Sequence, residues 1–164
     1  MCVFTTSSKP TIAEEPIRVY KIVIKQEVGE GKFDYLSYFS FVPTVHYVLG
    51  ACVEMKELYD PRPEVQRIFS DPDPTIPYFD TTCNEKWYEV NLGLCTFDPD
   101  VDDWKNVARW MAKSEEECEV VVLECEIPKG ARYYKGFSNC CGKESAYASD
   151  YLLPLRELDK SVWQ

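Results

Sequence analysis

The run from Glu119 to Ile127, EVVVLECEI, constrains the fold of this chain more than any other stretch. Its apolar residues Val121, Leu123, Cys125 and Ile127 alternate with Val120, Val122, Glu124 and Glu126. A period of two is typical of a β-strand, so one face should meet a core while the other becomes polar toward the end of the strand. Any fold for this chain must therefore place a half-buried strand here.

Three other runs also have strand character, and one segment has helical spacing. We predict strands at 17–25, 87–92, 119–127 and 146–155 and one principal helix from Trp104 to Lys113. In that helix Trp104, Val107, Ala108 and Met111 share one face. At 164 residues, with 45% hydrophobic content, the chain is expected to form one domain. The predicted class is α+β, a single domain (1–164) with a twisted, mostly antiparallel sheet, in which residues 1–16 are an N-terminal arm.

A proline-rich segment interrupts this pattern between residues 60 and 78. Its prolines stand at positions 61, 63, 72, 74 and 77. Proline fixes its own φ and biases the preceding residue away from the helix, so a long irregular loop is predicted. Loops of this length in compact domains often carry function, and the alternative is an insertion without a role.

Three of the aspartates before the helix superficially match the start of a calcium-binding loop. They are Asp98, Asp100 and Asp102. However, the sixth loop position holds Asp103 instead of glycine and the twelfth holds Arg109 instead of glutamate. We interpret the aspartates as helix caps, and no metal ligand is predicted.

Residues 128–143 form a cationic and aromatic window in an acidic chain. The window contains Lys129, Arg132, Lys135, Lys143, Tyr133, Tyr134 and Phe137 and no acidic residue. The rest of the chain has 14 basic residues against 28 acidic ones. Cations bind phosphate and aromatic faces stack on bases, so a loop with this composition is a candidate nucleotide site. The alternative is a β-hairpin whose tyrosines pack in the core while its lysines keep the turn soluble.

Charge and sequence motifs exclude several classes of function. A net charge of −10 argues against binding to duplex nucleic acid or to an anionic membrane. The N-terminal sequence does not resemble a secretory signal, and no apolar run is long enough to cross a membrane, so a cytoplasmic protein is expected. The glycines form neither a phosphate-binding loop nor a dinucleotide fingerprint, and no nucleophile motif accompanies His46. No cofactor is predicted.

The eight cysteines are expected to be reduced thiols. No Cys-x-x-Cys motif occurs, and a zinc site would have to use scattered cysteines. Cys125 lies on the inward face of its strand and is predicted to be a small core residue. Nearby cations could lower the thiol pKa of Cys140 and Cys141, and the alternative is two loop thiols without a role.

Several motifs together resemble a group of small proteins from gut Bacteroidetes and their phages. The motifs are Met1-Cys2, Val19-Tyr20-Lys21, Cys125-x-Ile127-Pro128-Lys129-Gly130-x-x-Tyr133-Tyr134-x-Gly136 and Tyr147-Ala148-Ser149-Asp150. The group usually has Gly-Phe-His where this chain has Gly93-Leu94-Cys95. This resemblance implies a small intracellular α+β domain and brings no established activity with it.

The chain is also similar, more distantly, to the ADP-ribosyltransferase-like fold. That similarity would place Lys21 at the basic position that contacts the nicotinamide dinucleotide and Ala148-Ser149-Asp150 in the catalytic strand. The glutamate expected there is absent, and Asp150 is the nearest acid. Without that carboxylate, the oxocarbenium-like transition state loses its electrostatic partner, so transferase activity is not expected.

Three functional hypotheses follow. The first is a non-enzymatic module that binds a nucleotide-derived small ligand, as a phage counter-defence protein would to sequester a host signal. Its ligand-binding residues would be Lys21, Lys129, Arg132, Tyr133, Tyr134, Lys135 and Lys143. The second is an inhibitor that presents its acidic surface and proline-rich loop to a basic protein partner. The third is a degenerate ADP-ribosyltransferase-like or nucleotide-processing enzyme.

Overall fold

A curved antiparallel sheet carries one α-helix on one of its faces in the computed structural model of the chain. The structure describes residues 3–7, 9–37, 45–55, 77–79, 86–90, 93–114 and 118–164. The strands of the first half are β1 (Val3–Thr5), β2 (Thr11–Ile12), β3 (Ile17–Gly29), β4 (Lys32–Ser37), β5 (His46–Tyr47), β6 (Val53–Glu54), β7 (Pro77–Phe79) and β8 (Lys86–Val90). The remaining elements are β9 (Leu94–Phe97), α1 (Trp104–Ser114), β10 (Glu119–Ile127), β11 (Arg132–Ser138), β12 (Glu144–Ser149) and β13 (Tyr151–Glu157).

The main path of the sheet runs β6-β13-β10-β3-β9-β12-β11-β1-β8-β7. Its longest pairing joins β10 to β3, in register from Glu119 opposite Lys25 to Ile127 opposite Ile17. In contrast, β3 meets β9 at a single residue pair, Tyr20 and Phe97. The β3–β9 junction therefore separates two halves of the sheet, one built on β10 and the other on β12.

Two hydrophobic clusters lie on opposite faces of β10. Leu123 and Cys125 point into a cluster that also contains Val3 of β1 and Leu152 of β13. Because those strands belong to different halves, the sheet must curve over this core. Val120 and Val122 point the other way, into a second cluster. This cluster also contains Trp104, Val107, Ala108 and Met111 of α1 and Trp163 near the end of the chain.

The predicted α+β class, with a mostly antiparallel sheet and one helix, agrees with the structure, although the sheet dominates. The strand predicted at 119–127 has the same bounds, and the one predicted at 17–25 extends to Gly29. The helix ends one residue later than predicted, at Ser114. The strand predicted at 87–92 is Lys86–Val90, with 91–92 outside the described residues.

Three predictions of local structure are wrong. The arm predicted at 1–16 contains β1 and β2, because Val3 is completely buried and its strand pairs with β8 and β11. The cationic window, predicted as a loop, contains β11, which pairs with β12 as an antiparallel hairpin. The strand predicted at 146–155 is two strands, which are separated at Asp150 and have different partners. Of the proline-rich loop, only Pro77–Phe79 lies within the described residues.

Gly136 allows β1 to pair closely with β11. A β-carbon at this position would overlap the carbonyl oxygen of Phe4, a backbone atom that cannot rotate away. We therefore predict that Gly136→Ala lowers the free energy of unfolding by about 1–3 kcal/mol, the usual cost of overpacking. Urea denaturation would measure the loss.

The matched control is Gly142→Ala, where the nearest atom to an added β-carbon is the side-chain oxygen Oε1 of Glu144, at the wider distance of 3.3 Å. This variant should change stability much less. Equal unfolding free energies for both variants would contradict the close β1–β11 approach.

Candidate functional site

Strand β11 presents its two faces to different environments. Tyr134 is 3% exposed and belongs to the core, whereas its neighbour Tyr133 is only half-buried. Alternation along the strand puts Lys135 and Phe137 on the same side as Tyr133. The two tyrosines therefore point to opposite faces of the sheet, as alternation in any strand requires.

Neighbouring strands add further side chains to the outward side of β11. Phe4 of β1 lies opposite Phe137, and Tyr147 of β12 lies opposite Lys135. Paired residues in a sheet point to the same face. We call this group of side chains the aromatic face, and it consists of Phe4, Tyr133, Lys135, Phe137, Lys143 and Tyr147. Tyr147 is only 7% exposed and belongs to the core cluster, so it supports the more exposed side chains from below.

Ring and cation contacts organise the aromatic face into two ends. At one end the rings of Phe4 and Phe137 are stacked, with centroids 5.6 Å apart, and Lys143 Nζ lies 4.3 Å from the Phe137 centroid. At the other end the rings of Tyr133 and Tyr147 are tilted at 5.8 Å. Lys135 Nζ lies 5.0 Å from the Tyr147 centroid. Such ring and cation–π contacts hold the side chains in place.

Lys135 is the central cation of the aromatic face. Its Nζ lies 2.9 Å from Asp98 Oδ2, yet the lysine side chain remains 55% exposed. Hydrogen bonds with Tyr147 and Asp98 raise the pKa of Lys135 above its ordinary value. Burial acts to raise the pKa of Asp98, but the hydrogen bond from Lys135 is among those that outweigh it and lower that pKa. Both groups are therefore charged at neutral pH.

Aspartates near the start of α1 brace β12 behind this lysine. The backbone N–H of Ser145 donates to Asp103 Oδ2 at 2.7 Å, and the Ser145 hydroxyl donates to Asp98 Oδ2 at 3.2 Å. Asp98 Oδ1 accepts the backbone N–H of Asp100 at 3.1 Å. The interpretation of Asp98 and Asp103 as helix caps is therefore wrong, because their carboxylates bind the neighbouring strand and loop. Sequence spacing alone could not reveal that contact.

Arg132 is tied to a buried acid. Asp150 Oδ1 accepts the backbone N–H of Arg132 at 2.8 Å, and Asp150 Oδ2 accepts its Nε at 2.9 Å. The side chain of Asp150 is 7% exposed and that of Arg132 is 33% exposed. The guanidinium is thus committed to a structural ion pair. The acid that the ADP-ribosyltransferase-like similarity placed in a catalytic strand supports the fold here.

Lys129 and Lys21 occupy very different environments. Lys129 lies in the turn before β11 and pairs with Glu15 at 3.3 Å, where both side chains are largely exposed. Lys21 is 6% exposed, and its Nζ donates to the carbonyl oxygen of Cys95 at 2.6 Å. Burial lowers the pKa of Lys21, and the nearby thiols of Cys95 and Cys125 oppose that shift. Lys21 is therefore part of the core, whereas Tyr133 and Lys135 lie on the surface.

Burial raises the thiol pKa values of the cysteines in and near the candidate site. Cys125 is a buried free thiol, as predicted, and burial raises its pKa to about 12. Cys140 and Cys141 are also free, but burial and the charge of Glu144 raise both of their pKa values. The hypothesis of activated thiols is wrong, because the carboxylate of Glu144 accepts both of their backbone N–H groups and its charge opposes deprotonation of the thiols.

Of the seven predicted site residues, the structure leaves Tyr133, Lys135 and Lys143 together on the aromatic face. Tyr134 and Lys21 are buried, Arg132 is paired with Asp150, and Lys129 lies in the preceding turn. Sequence reasoning missed Phe4, because it fell within the predicted arm. It also missed Tyr147, because nothing local indicates that this residue lies opposite Lys135.

No protein-family model, no curated protein and no solved structure matches the chain. Both resemblances stated above therefore stay predictions. Within the described ranges, no three His, Cys, Asp or Glu side chains come together in a way that could hold a metal ion. The same part of the chain contains no helix that is both long and apolar enough to span a membrane.

The Arg132–Asp150 pair should be measurable in stability. Arg132→Ala removes the guanidinium and leaves the carboxylate of Asp150 buried with fewer donors. We predict a loss of about 1–3 kcal/mol in the free energy of unfolding, measured by urea denaturation. An exposed Arg132 without a buried partner would give almost no loss.

The matched control is Lys129→Ala in the same window. Because its ion pair with Glu15 is exposed, its removal should cost only about 0–1 kcal/mol. A loss for Lys129→Ala as large as that for Arg132→Ala would contradict the assignment of a structural role to Arg132 alone.

Lys21 should give stability a distinctive dependence on pH. Between the lowered pKa of the folded state and the ordinary value of 10.5, the unfolded chain binds a proton on Lys21 that the folded chain does not. Stability of the wild type should therefore rise with pH relative to Lys21→Met, by at most about 1.4 kcal/mol per pH unit. Urea denaturation from about pH 7 to about pH 10 would measure the difference.

Lys25→Met provides the control with the opposite sign. The hydrogen bond to Glu157 raises the pKa of Lys25, so its stabilising contribution is present below 10.5 and is lost only above that value. The difference between wild type and Lys25→Met should stay flat in the same pH range. If the difference in unfolding free energy between wild type and Lys21→Met were also independent of pH, the lowered pKa of a buried Lys21 would be refuted.

Proposed function

We propose that the protein is a non-catalytic binding module and that its aromatic face binds a nucleotide-type small ligand. The observation that carries this proposal is the alternation of Tyr133, Lys135 and Phe137 on the outward side of one strand. Half-buried rings thus flank a charged ammonium group that is still 55% exposed. Stacking rings and a fixed cation are the two groups that recognise a base and a phosphate.

The aromatic rings supply most of the binding energy in this proposal. Stacking of a base on an aromatic side chain is worth about 1–3 kcal/mol. The rings are held by neighbouring strands and by each other, so little side-chain entropy is lost when a ligand stacks on them. The phosphate then needs only one well-placed donor.

Lys135 is that donor. An ammonium group has three N–H donors, and the contacts with Asp98 and Tyr147 leave one for a ligand oxygen. However, the carboxylate of Asp98 lies next to the same amine and repels a ligand with several negative charges. Binding should therefore depend only weakly on salt, in contrast to a site made of unpaired cations.

The other predicted site residues have supporting roles in this proposal. Arg132 fixes the start of β11 through Asp150, and Tyr134 anchors the strand from the core side. Lys21 is buried, and its amine donates to the carbonyl oxygen of Cys95. These contacts are structural, and none of them is assigned a catalytic role in the proposal. Sequestration of a nucleotide signal, the role named in the first hypothesis, would use the same face without a chemical step.

The inhibitor hypothesis depends on the proline-rich segment and on the acidic surface. Positions 61–76 lie outside the described residues. No contact among the described residues favours a basic protein partner over a ligand on the aromatic face.

Thermal denaturation in the presence of AMP, ADP and ATP would test the proposed function. A ligand at about 100 times its dissociation constant adds about 2.7 kcal/mol of stability. In a domain of this size we expect an increase in Tm of several degrees. Tyr133→Leu and Lys135→Met should each remove most of that increase, because each deletes one group that contacts the ligand.

Lys113→Met is the matched control, since it deletes an exposed lysine at the end of α1. It should leave the ligand-induced increase in Tm unchanged. No increase with any of the three nucleotides would overturn the proposal, as would an increase that persists in Tyr133→Leu.

A further inference from the structure

The ammonium group of Lys135 has room for a single ligand oxygen. Its Nζ lies 2.9 Å from Asp98 Oδ2 and also makes a hydrogen bond with Tyr147. Two of its three N–H donors are thus used within the protein. The lysine side chain is still 55% exposed, so the third donor can reach one phosphate oxygen of a ligand.

The other cations of residues 128–143, all of which the structure describes, have partners within the protein. These pairs are Lys129 with Glu15, Arg132 with Asp150 and Lys143 with the ring of Phe137. The amine of Lys143 lies 4.3 Å from the centroid of that ring and would have to leave it to meet a second phosphate. Within this window, a ligand on β11 therefore has one direct cationic contact, at Lys135.

Two carboxylates lie beyond Lys135 along the strand. Ser145 of β12 lies opposite the residue that is two positions after Lys135. The backbone N–H of Ser145 donates to Asp103 Oδ2 at 2.7 Å, and its hydroxyl donates to Asp98 Oδ2 at 3.2 Å. A ligand whose base stacks on Tyr133, with its first phosphate at Lys135, directs any further phosphate toward these two carboxylates.

Charge repulsion then limits the number of phosphates. The pair of Lys135 and Asp98 is neutral as a unit, so it adds no net attraction beyond the first direct contact. Two unit charges about 6 Å apart in a water-like medium change a binding constant about threefold. The net charge of the chain, −10, adds to the repulsion of a longer phosphate chain.

From this arrangement we infer that the ligand class is a nucleotide with a single phosphate group, and that Asp98, together with Asp103, selects against longer phosphate chains. This inference rests on the proposed function, because it uses the same base and phosphate contacts. Asp98 is a specificity-determining residue in this account. It holds the amine that binds the first phosphate, and its charge repels the second.

Affinity should pass through a maximum at one phosphate. NMR titrations at fixed ionic strength and without divalent cations would give dissociation constants for adenosine, AMP, ADP and ATP. AMP should bind at least about threefold more tightly than adenosine, because only AMP uses the remaining donor of Lys135. ADP and ATP should each bind about threefold more weakly than the ligand with one phosphate fewer.

Asp98→Asn tests the role of the carboxylate, because its amide oxygen can still accept from Lys135 while the negative charge is gone. The dissociation constant of ATP relative to that of AMP should fall at least about threefold. The matched control is Asp100→Asn, which removes an equal charge from a side chain that is 86% exposed and lies beside Arg18. It should leave this ratio unchanged. If circular dichroism melting shows that Asp98→Asn is unfolded, Asp103→Asn takes its place with the same expected fall.

The outcomes separate this inference from the proposed function. An affinity that increases from AMP to ATP would overturn the inference and leave the nucleotide-binding module intact. A ratio that is the same in the wild type and in folded Asp98→Asn would also overturn it. Equal affinities for adenosine and AMP would do so too, because no phosphate would then be recognised. If none of the four probes binds, both the inference and the proposed function fail.

Discussion

The carboxylate and backbone of Asp150 hold together the part of the sheet on which the candidate site depends. Its N–H donates to the carbonyl of Arg132, its own carbonyl accepts the N–H of Met55, and its carboxylate binds Arg132 twice. Asp150 lies between β12 and β13, where the chain leaves one half of the sheet and enters the other. One nearly buried residue thus connects three strands and the segment after β6.

This connection explains why Tyr133, Lys135 and Phe137 lie on the side of β11 that is opposite to Tyr134. Fixing Arg132 at the start of β11 sets the alternation of every later residue in the strand, since a shift of one residue would exchange its two faces. Tyr134 then packs in the core, and Tyr133, Lys135 and Phe137 point outward. Gly136 completes the arrangement by allowing β1 to approach and bring Phe4 alongside Phe137.

The regular alternation of side chains made β10 predictable from the sequence. Strands without such alternation, such as β9 and β11, were not predicted. In β10 the apolar side chains alternate over nine residues, and both faces meet a core. In β11 one face carries a lysine between aromatic rings, so the composition resembled that of a loop. The short strand Leu94–Phe97 is buried on both faces and shows no alternation of polar and apolar residues. The break at Asp150 lies within a continuous strand-like run, so only the pairing partners reveal it.

The cations of the window were the clearest sequence clue, but their roles could not be read from the sequence. The count of charged residues predicted a cationic window, residues 128–143, in an otherwise acidic chain. The acids that balance Lys129, Arg132 and Lys135 come from distant positions in the sequence, namely Glu15, Asp150 and Asp98. Long-range pairing of this kind leaves no local pattern. What remained predictable was the opposite orientation of Tyr133 and Tyr134, because it follows from the geometry of any strand.

The central claim is that one side of β11 binds a ligand while the other side is core. A titration with AMP, followed by NMR of protein with isotope-labelled tyrosine and phenylalanine rings, tests this claim most directly. The account predicts that the ring signals of Tyr133 and Phe137 shift together with one binding curve. The signals of the buried rings of Tyr134 and Tyr47 should stay in place. Shifts centred on Tyr134 or Tyr47, or no shift at Tyr133 and Phe137, would contradict the account.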